Sequence, residues 1–163
     1  MADPVITQRT VQVEHFKIHS TKPFAEVKAA LESSVPLLDA GIFELLQRGE
    51  TDRARVELER LPALSRFGSR DHGALLRITG QSHNAVQYDI GNPLTATRMT
   101  QHRLPAAQYA PFRVVLYANE AGDAVFEYDR PSSLFGQFGD ERVAAVGREL
   151  DANLERVLIK AVS

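Results

Sequence analysis

The chain has 163 residues and neither cysteine nor tryptophan. Without cysteine there can be no disulfide, no thiolate nucleophile and no zinc site built on sulfur. A basic surplus is missing too: 19 Lys and Arg against 21 Asp and Glu leave a formal charge of -2. Nucleic-acid binders gather cations on one face, so DNA and RNA are not expected partners. No run of apolar residues approaches the ~18 of a membrane span, and no membrane partner is expected. The opening Met-Ala-Asp-Pro-Val-Ile has no basic region followed by an apolar stretch, so no signal peptide is expected and a cytoplasmic location is. Also missing are the His-Glu-x-x-His, Gly-x-Ser-x-Gly and Walker glycine patterns, which withdraws support from the common metalloprotease, hydrolase and NTPase classes. No metal or cofactor is expected.

What is present is an ordinary globular composition, 44% hydrophobic and 25% charged, enough for a single domain over residues 1–163. Val11 and Val13 alternate with polar residues before the phase slips to Phe16 and Ile18, which predicts a bulged strand from Arg9 to His19. Phe24, Val27, Leu31 and Val35 then recur at helical spacing, giving a helix from Pro23 to about Ser34. From Pro36 to Phe67 the pattern stays helical, with a stop at Gly49 and a polar helix from Thr51 to Leu61, and reads as a helical insertion.

The second half changes character. Ala74–Thr79 and Ala85–Ile90 read as strands joined by a Gly80–Asn84 loop, and Phe112–Tyr117 and Ala124–Tyr128 as a hairpin turning at Asn119–Gly122. The last helix carries Val143, Val146, Gly147, Leu150, Leu154, Val157, Leu158 and Ala161 at spacings of three and four. A glycine inside that stripe costs helix propensity and predicts close packing against a strand or a partner subunit. The fold class expected is α+β: two layers, a mainly antiparallel five-stranded sheet in the order strand, helix, four strands, helix, backed by the long C-terminal helix.

Four places carry candidate chemistry. Asp71-His72-Gly73 precedes a predicted strand, where a carboxylate could orient the imidazole as an acid or base; a loop histidine bonded to backbone is the alternative. Asn92-Pro93 leaves a strand and opens a short helix, with Asn92 as cap or as ligand-binding group. Arg113 sits inside an otherwise apolar strand, with Glu127 and Asp89 as candidate partners. Tyr128 ends the last strand. His15 and His19 do not share an ion, because strand residues four apart lie ~13 Å apart.

Asp71-His72 before a strand, Gly91-Asn92-Pro93 at a strand exit followed by Met99, and the hairpin from Pro111 to Tyr128 with Pro131 beyond it together resemble the family known as domain of unknown function 302. The resemblance spans roughly residues 70 to 135 by motif and the whole chain by element order. It implies the fold already read from periodicity, strand, helix, four strands, helix. Many bacterial members carry cysteines in the strand-exit motif and at the start of the next hairpin. None stands here, so thiol chemistry does not carry over, and the Pro36–Phe67 insertion is longer than in short members.

Three functions are compatible with these residues. The first is a small-molecule-binding homodimer, taking a small anionic ligand among Asp71, His72, Asn92, Met99, Arg113 and Tyr128. The second is a proton-transfer enzyme with His72 as base and Arg113 or Tyr128 stabilising an anion. The third is a structural or regulatory homodimer without a ligand.

Overall fold

Three segments alternate between buried and outward side chains. Val86, Tyr88 and Ile90, then Phe112, Val114 and Leu116, then Ala124, Phe126 and Tyr128 are all buried. Pleating sends residues i and i+2 to one face, so each segment lays one apolar side on the core. The opposite side is more polar, with Val115 and the buried Val125 as apolar exceptions. In the computed structural model, which describes residues 3–163, these are β3 (Ala85–Gly91), β4 (Phe112–Ala118) and β5 (Asp123–Asp129). With β1 (His15–Pro23) and β2 (Ser65–Asp71) they form a five-stranded sheet in the order β1-β5-β4-β3-β2. Every neighbouring pair is antiparallel.

One face of this sheet is covered. α1 (Phe24–Ser34) buries Val27 and Leu31 there. α7 (Glu141–Val162) buries Val143, Val146, Gly147, Leu150, Leu154, Leu158 and Ala161, very nearly the stripe its sequence predicts. Gly147 lies against α6 (Pro131–Phe135): a Cβ there would stand 3.0 Å from Ser132 Cα and 3.3 Å from Phe135 Cβ. Its close neighbour is thus a helix of the same chain. Neither a strand nor a partner subunit is needed to explain it.

The insertion holds α2 (Gly41–Gln47) and α3 (Thr51–Glu59). Leu38, Ile42, Ala54 and Leu58 form a second, smaller core that packs on Phe67 of β2 and on Leu94 of α5 (Pro93–Thr100). Backbone bonds fix it to the sheet edge, Leu38 N to Arg66 O and Arg66 N to Pro36 O, each 2.8 Å. The Arg66 guanidinium adds a bond to Val35 O at 2.7 Å.

Three expectations are corrected. The first strand begins at His15 rather than Arg9, because the preceding residues find partners elsewhere: Arg9 donates to Gln137 O and Oε1, and Glu14 N to Ser133 Oγ. The register irregularity falls between His19 and Pro23. Phe67 lies in β2, so the insertion ends before it. Ala74–Thr79 is no strand; α4 (His72–Leu76) and a 3-10 turn (Arg77–Thr79) occupy it. Its apolar residues mislead because they are outside the core, Leu75 being 56% and Ile78 87% exposed. The true β2, Ser-Arg-Phe-Gly-Ser-Arg-Asp, is an edge strand with little apolar alternation to announce it.

Candidate functional site

Asp71 ends a strand and His72 opens a helix, instead of the pair preceding a strand. The Asp71 carboxylate accepts from Ala74 N at 2.8 Å and caps α4. His72 opens that helix on the surface, and Gly73 is required behind it, since a Cβ would meet His83 O at 2.2 Å. Arg113 is exposed on the uncovered face of the sheet, in register with Asp89. Asp89 is nevertheless held by Arg70, at 2.8 Å. Tyr128 points the opposite way, into the covered face, where it stacks on Phe16 with centroids 5.6 Å apart.

These four residues share no cleft. Asp71 pairs with Val86 and Arg113 with Asp89, which separates their backbones by roughly 10 Å along the strands and roughly 10 Å across two strand spacings. His72 is a residue farther still. Arg113 and Tyr128 lie on opposite sides of the sheet.

Asn92 and Met99 do come together, on the wall of a cavity of about 780 Å³. Pro93 at the first helical position and Asn92 as cap start α5 at the end of β3. Asn92 Oδ1 accepts from Thr95 N and its Nδ2 donates to Pro62 O, both at 3.1 Å, tying α5 to the segment that leads into β2. Met99 is buried on the same helix. The opposite wall is the insertion, where α3 presents Thr51, Arg55 and Leu58 at helical spacing and α2 presents Phe43 and Leu46. Phe112 and Phe135 close the floor from the main core. The space therefore lies between the two apolar clusters of the molecule.

Sequence reasoning missed this role of the insertion. Thr51, Arg55 and Leu58 do fall on one helical stripe, but in a polar helix such a stripe looks solvated. Phe43 and Leu46 were the better signal: they stand 41% and 43% exposed at the cavity's edge.

A second cluster lies on the uncovered face and was equally unforeseen. The Glu127 carboxylate accepts from Lys17 Nζ at 2.8 Å, Tyr117 Oη at 2.5 Å and His15 Nε2 at 2.8 Å. His15 Nδ1 meets Asp129 Oδ1 at 2.9 Å. Both ring nitrogens thus face carboxylate oxygens, which only the imidazolium form satisfies with two N–H donors. The bonds to Asp129 and Glu127 accordingly raise the His15 pKa above its ordinary value. The bonds from Lys17, Tyr117 and His15 hold Glu127 down at about 2. This cluster neutralises itself, His15 and Lys17 against Glu127 and Asp129, whereas the cavity has room.

The sequence profile of the family described as "Domain of unknown function DUF302" matches residues 50–161. The chain belongs to the DUF302 family. The match begins at α3 and leaves β1, α1 and α2 outside it. A crystal structure of an uncharacterized conserved DUF302 protein from Bacillus stearothermophilus has the same fold, with a TM-score of 0.66 over 90% of this chain and 97% of that one. The two are 17% identical, so the likeness speaks for the fold alone. No curated protein matches the chain. The DUF302 assignment agrees with the motifs in the second half and adds no activity to them.

Proposed function

We propose that this DUF302 domain binds a small molecule in the cavity between α3, α5 and the end of the sheet where β3 leaves and β4 enters. One observation carries the reading: about 780 Å³ of space walled mainly by apolar side chains with a few polar groups at its rim. Ligand pockets span roughly 300–1,000 Å³ and share that balance of apolar wall and sparse polar anchors. Exposed Phe43 and Leu46 gain a reason to face the cavity if an apolar ligand covers them. A thermal-shift screen of metabolites is the test, repeated on Ala96→Trp, which places an indole in the cavity wall. Stabilisation of the native chain that is lost in the variant supports the site. A ligand that stabilises both equally binds elsewhere.

The proposal includes a second copy of the chain, now resting on the uncovered sheet face alone because Gly147 is used internally. Across the strands, His15, Asp129, Arg113 and Asp89 alternate in sign. A two-fold axis along the strands between β5 and β4 sets each charge against its opposite. Light scattering at high micromolar concentration decides, and a lone 18.1 kDa species overturns the dimer. Among the described residues no helix is long and apolar enough to cross a membrane, which supports the proposed cytoplasmic location to the extent that no helical anchor is seen. Cell fractionation tests it.

A further inference from the structure

The charged side chains around the cavity are not equivalent. Arg98 is fully engaged, both terminal nitrogens meeting the two oxygens of Glu149 at 3.1 and 2.9 Å. On α3 and its flanks Arg53 is paired with Glu50, and Arg60 with Glu57 at 3.0 Å. Arg55, the arginine of this helix that lines the cavity, makes no ion pair and no side-chain hydrogen bond among the described residues. Glu59, one turn on, also lines the cavity, yet does not close a pair with it.

A guanidinium is permanently charged, and its fork of N–H donors matches a carboxylate bidentately. Here it stands beside a wall made of Phe43, Leu46, Phe67, Met99 and Phe112. Glu59 limits the charge that can be placed next to it, because a second negative charge on the ligand would face that carboxylate. A nucleotide or a multiply charged phosphate is therefore a poor match, and no glycine-rich phosphate loop is present in the sequence.

We infer that the ligand is an apolar monocarboxylic acid, its carboxylate held by Arg55 at the rim and its hydrocarbon body lying against Phe43, Leu46 and Phe67. This rests on the cavity being the binding site. Thr51 and Glu59 flank Arg55 on the cavity wall, and no chemical step is assigned to either; the inference is one of binding.

Isothermal titration at pH 7 with hexanoate, octanoate, decanoate, 1-octanol and octyl phosphate tests it. Affinity should rise with chain length by up to about four-fold per added methylene. Octanoate should bind at least ten-fold more tightly than 1-octanol and no more weakly than octyl phosphate. Arg55→Gln, at an exposed position where folding is not at stake, should bring octanoate down to the affinity of 1-octanol and leave 1-octanol unchanged. Ala96→Trp should abolish both. If 1-octanol equals octanoate, or Arg55→Gln changes neither, the assignment of the carboxylate to Arg55 is overturned while the apolar cavity stands. Should none of the five probes bind the native chain, the monocarboxylate inference falls. If the metabolite screen also finds no ligand lost in Ala96→Trp, the cavity reading falls with it. Carboxylate binding that survives Ala96→Trp but not Arg55→Gln would put the site outside the cavity and overturn the inference as well.

Discussion

Phe126 and Glu127 are neighbours in β5 and belong to two different surfaces. Phe126 is buried under the helices, in the layer that leaves a cavity where the insertion meets α5. Glu127 faces the open side, ringed by Lys17, Tyr117 and His15. By density of titratable groups the open face is the richer surface. Yet the donors gathered around Glu127 already have acceptors within the chain, so a ligand there would have to displace bonds that exist. Arg113, fully outward on the same face, has no partner among the described residues but no concavity beside it to hold a ligand body. The cavity has fewer polar groups, and one of them, Arg55, has no partner among the described residues. A binding site is better recognised by what is left unsatisfied in a concave place than by how many charges are gathered on a flat one.

The largest effect that sharpens this contrast is on stability. Phe126→Ala should destabilise the fold by about 3–5 kcal/mol, through lost transfer energy and a void in the covered layer. Glu127→Gln, one residue away, should cost roughly 1 kcal/mol or less, the usual scale for ion pairs in contact with water. Urea denaturation of the two variants in one buffer measures both. Equal losses would mean that the open face is buried in the working molecule, as it would be in a stable dimer, and the contrast between the surfaces would break.

Legibility in the sequence follows the same division. Strands β3, β4 and β5 and helix α7 are readable because each buries an unbroken apolar face, so the pattern of 2 or of 3.6 is written along the chain even where Val115 and Val125 add apolar residues to the other side. β2 is not: as an edge strand, its Arg66 reaches back to Val35 O, and its sequence carries no apolar period. The exposed apolar residues of 74–79 took its place in the reading. Of the candidate site residues, Asn92 and Met99 share the cavity. Asp71, His72, Arg113 and Tyr128 do not, because facing depends on register and on the sheet's two sides, and a misplaced β2 shifts both. Arg55 escaped since nothing local separates it from its paired neighbours Arg53 and Arg60.

An intermediate effect is expected at the cavity wall. Asn92 has two bonds, a cap to Thr95 N and a tie to Pro62 O. Asn92→Ala should cost about 1 kcal/mol for the cap, with a further contribution from the orphaned carbonyl. Asn92→Ser retains a cap acceptor and loses the tie, so it should recover roughly half of the loss. Thermal melts of the three proteins separate the two bonds. If Asn92→Ala keeps full stability but loses ligand-dependent stabilisation, Asn92 contacts the ligand and the capping account fails.

The smallest effect lies on the open face and depends on pH. Glu127 has an ordinary value of 4.5 in the unfolded chain and about 2 when folded. Its contribution to stability is present above about 4.5 and is lost as pH falls through about 2. For His15 the shift is upward from 6.5, so its contribution is complete below 6.5 and is lost as pH rises through the higher folded value. The groups facing them are Lys17 on β1, Tyr117 and Arg113 on β4, and Asp129 on β5. Lys17 stays charged and Tyr117 stays protonated across this range, because their bonds to Glu127 raise the pKa of each. The pair is therefore strongest between about 4.5 and 6.5. The deficit of Glu127→Gln relative to the native chain should be greatest in that window, shrink toward pH 2, and shrink modestly as the pH rises through the raised His15 value. Urea midpoints at pH 2.5, 5.5 and 8.5 measure it. A deficit that stays constant across the three would show that Glu127 acts through its shape or its neutral hydrogen bonds, and that the open face is not organised around its charge.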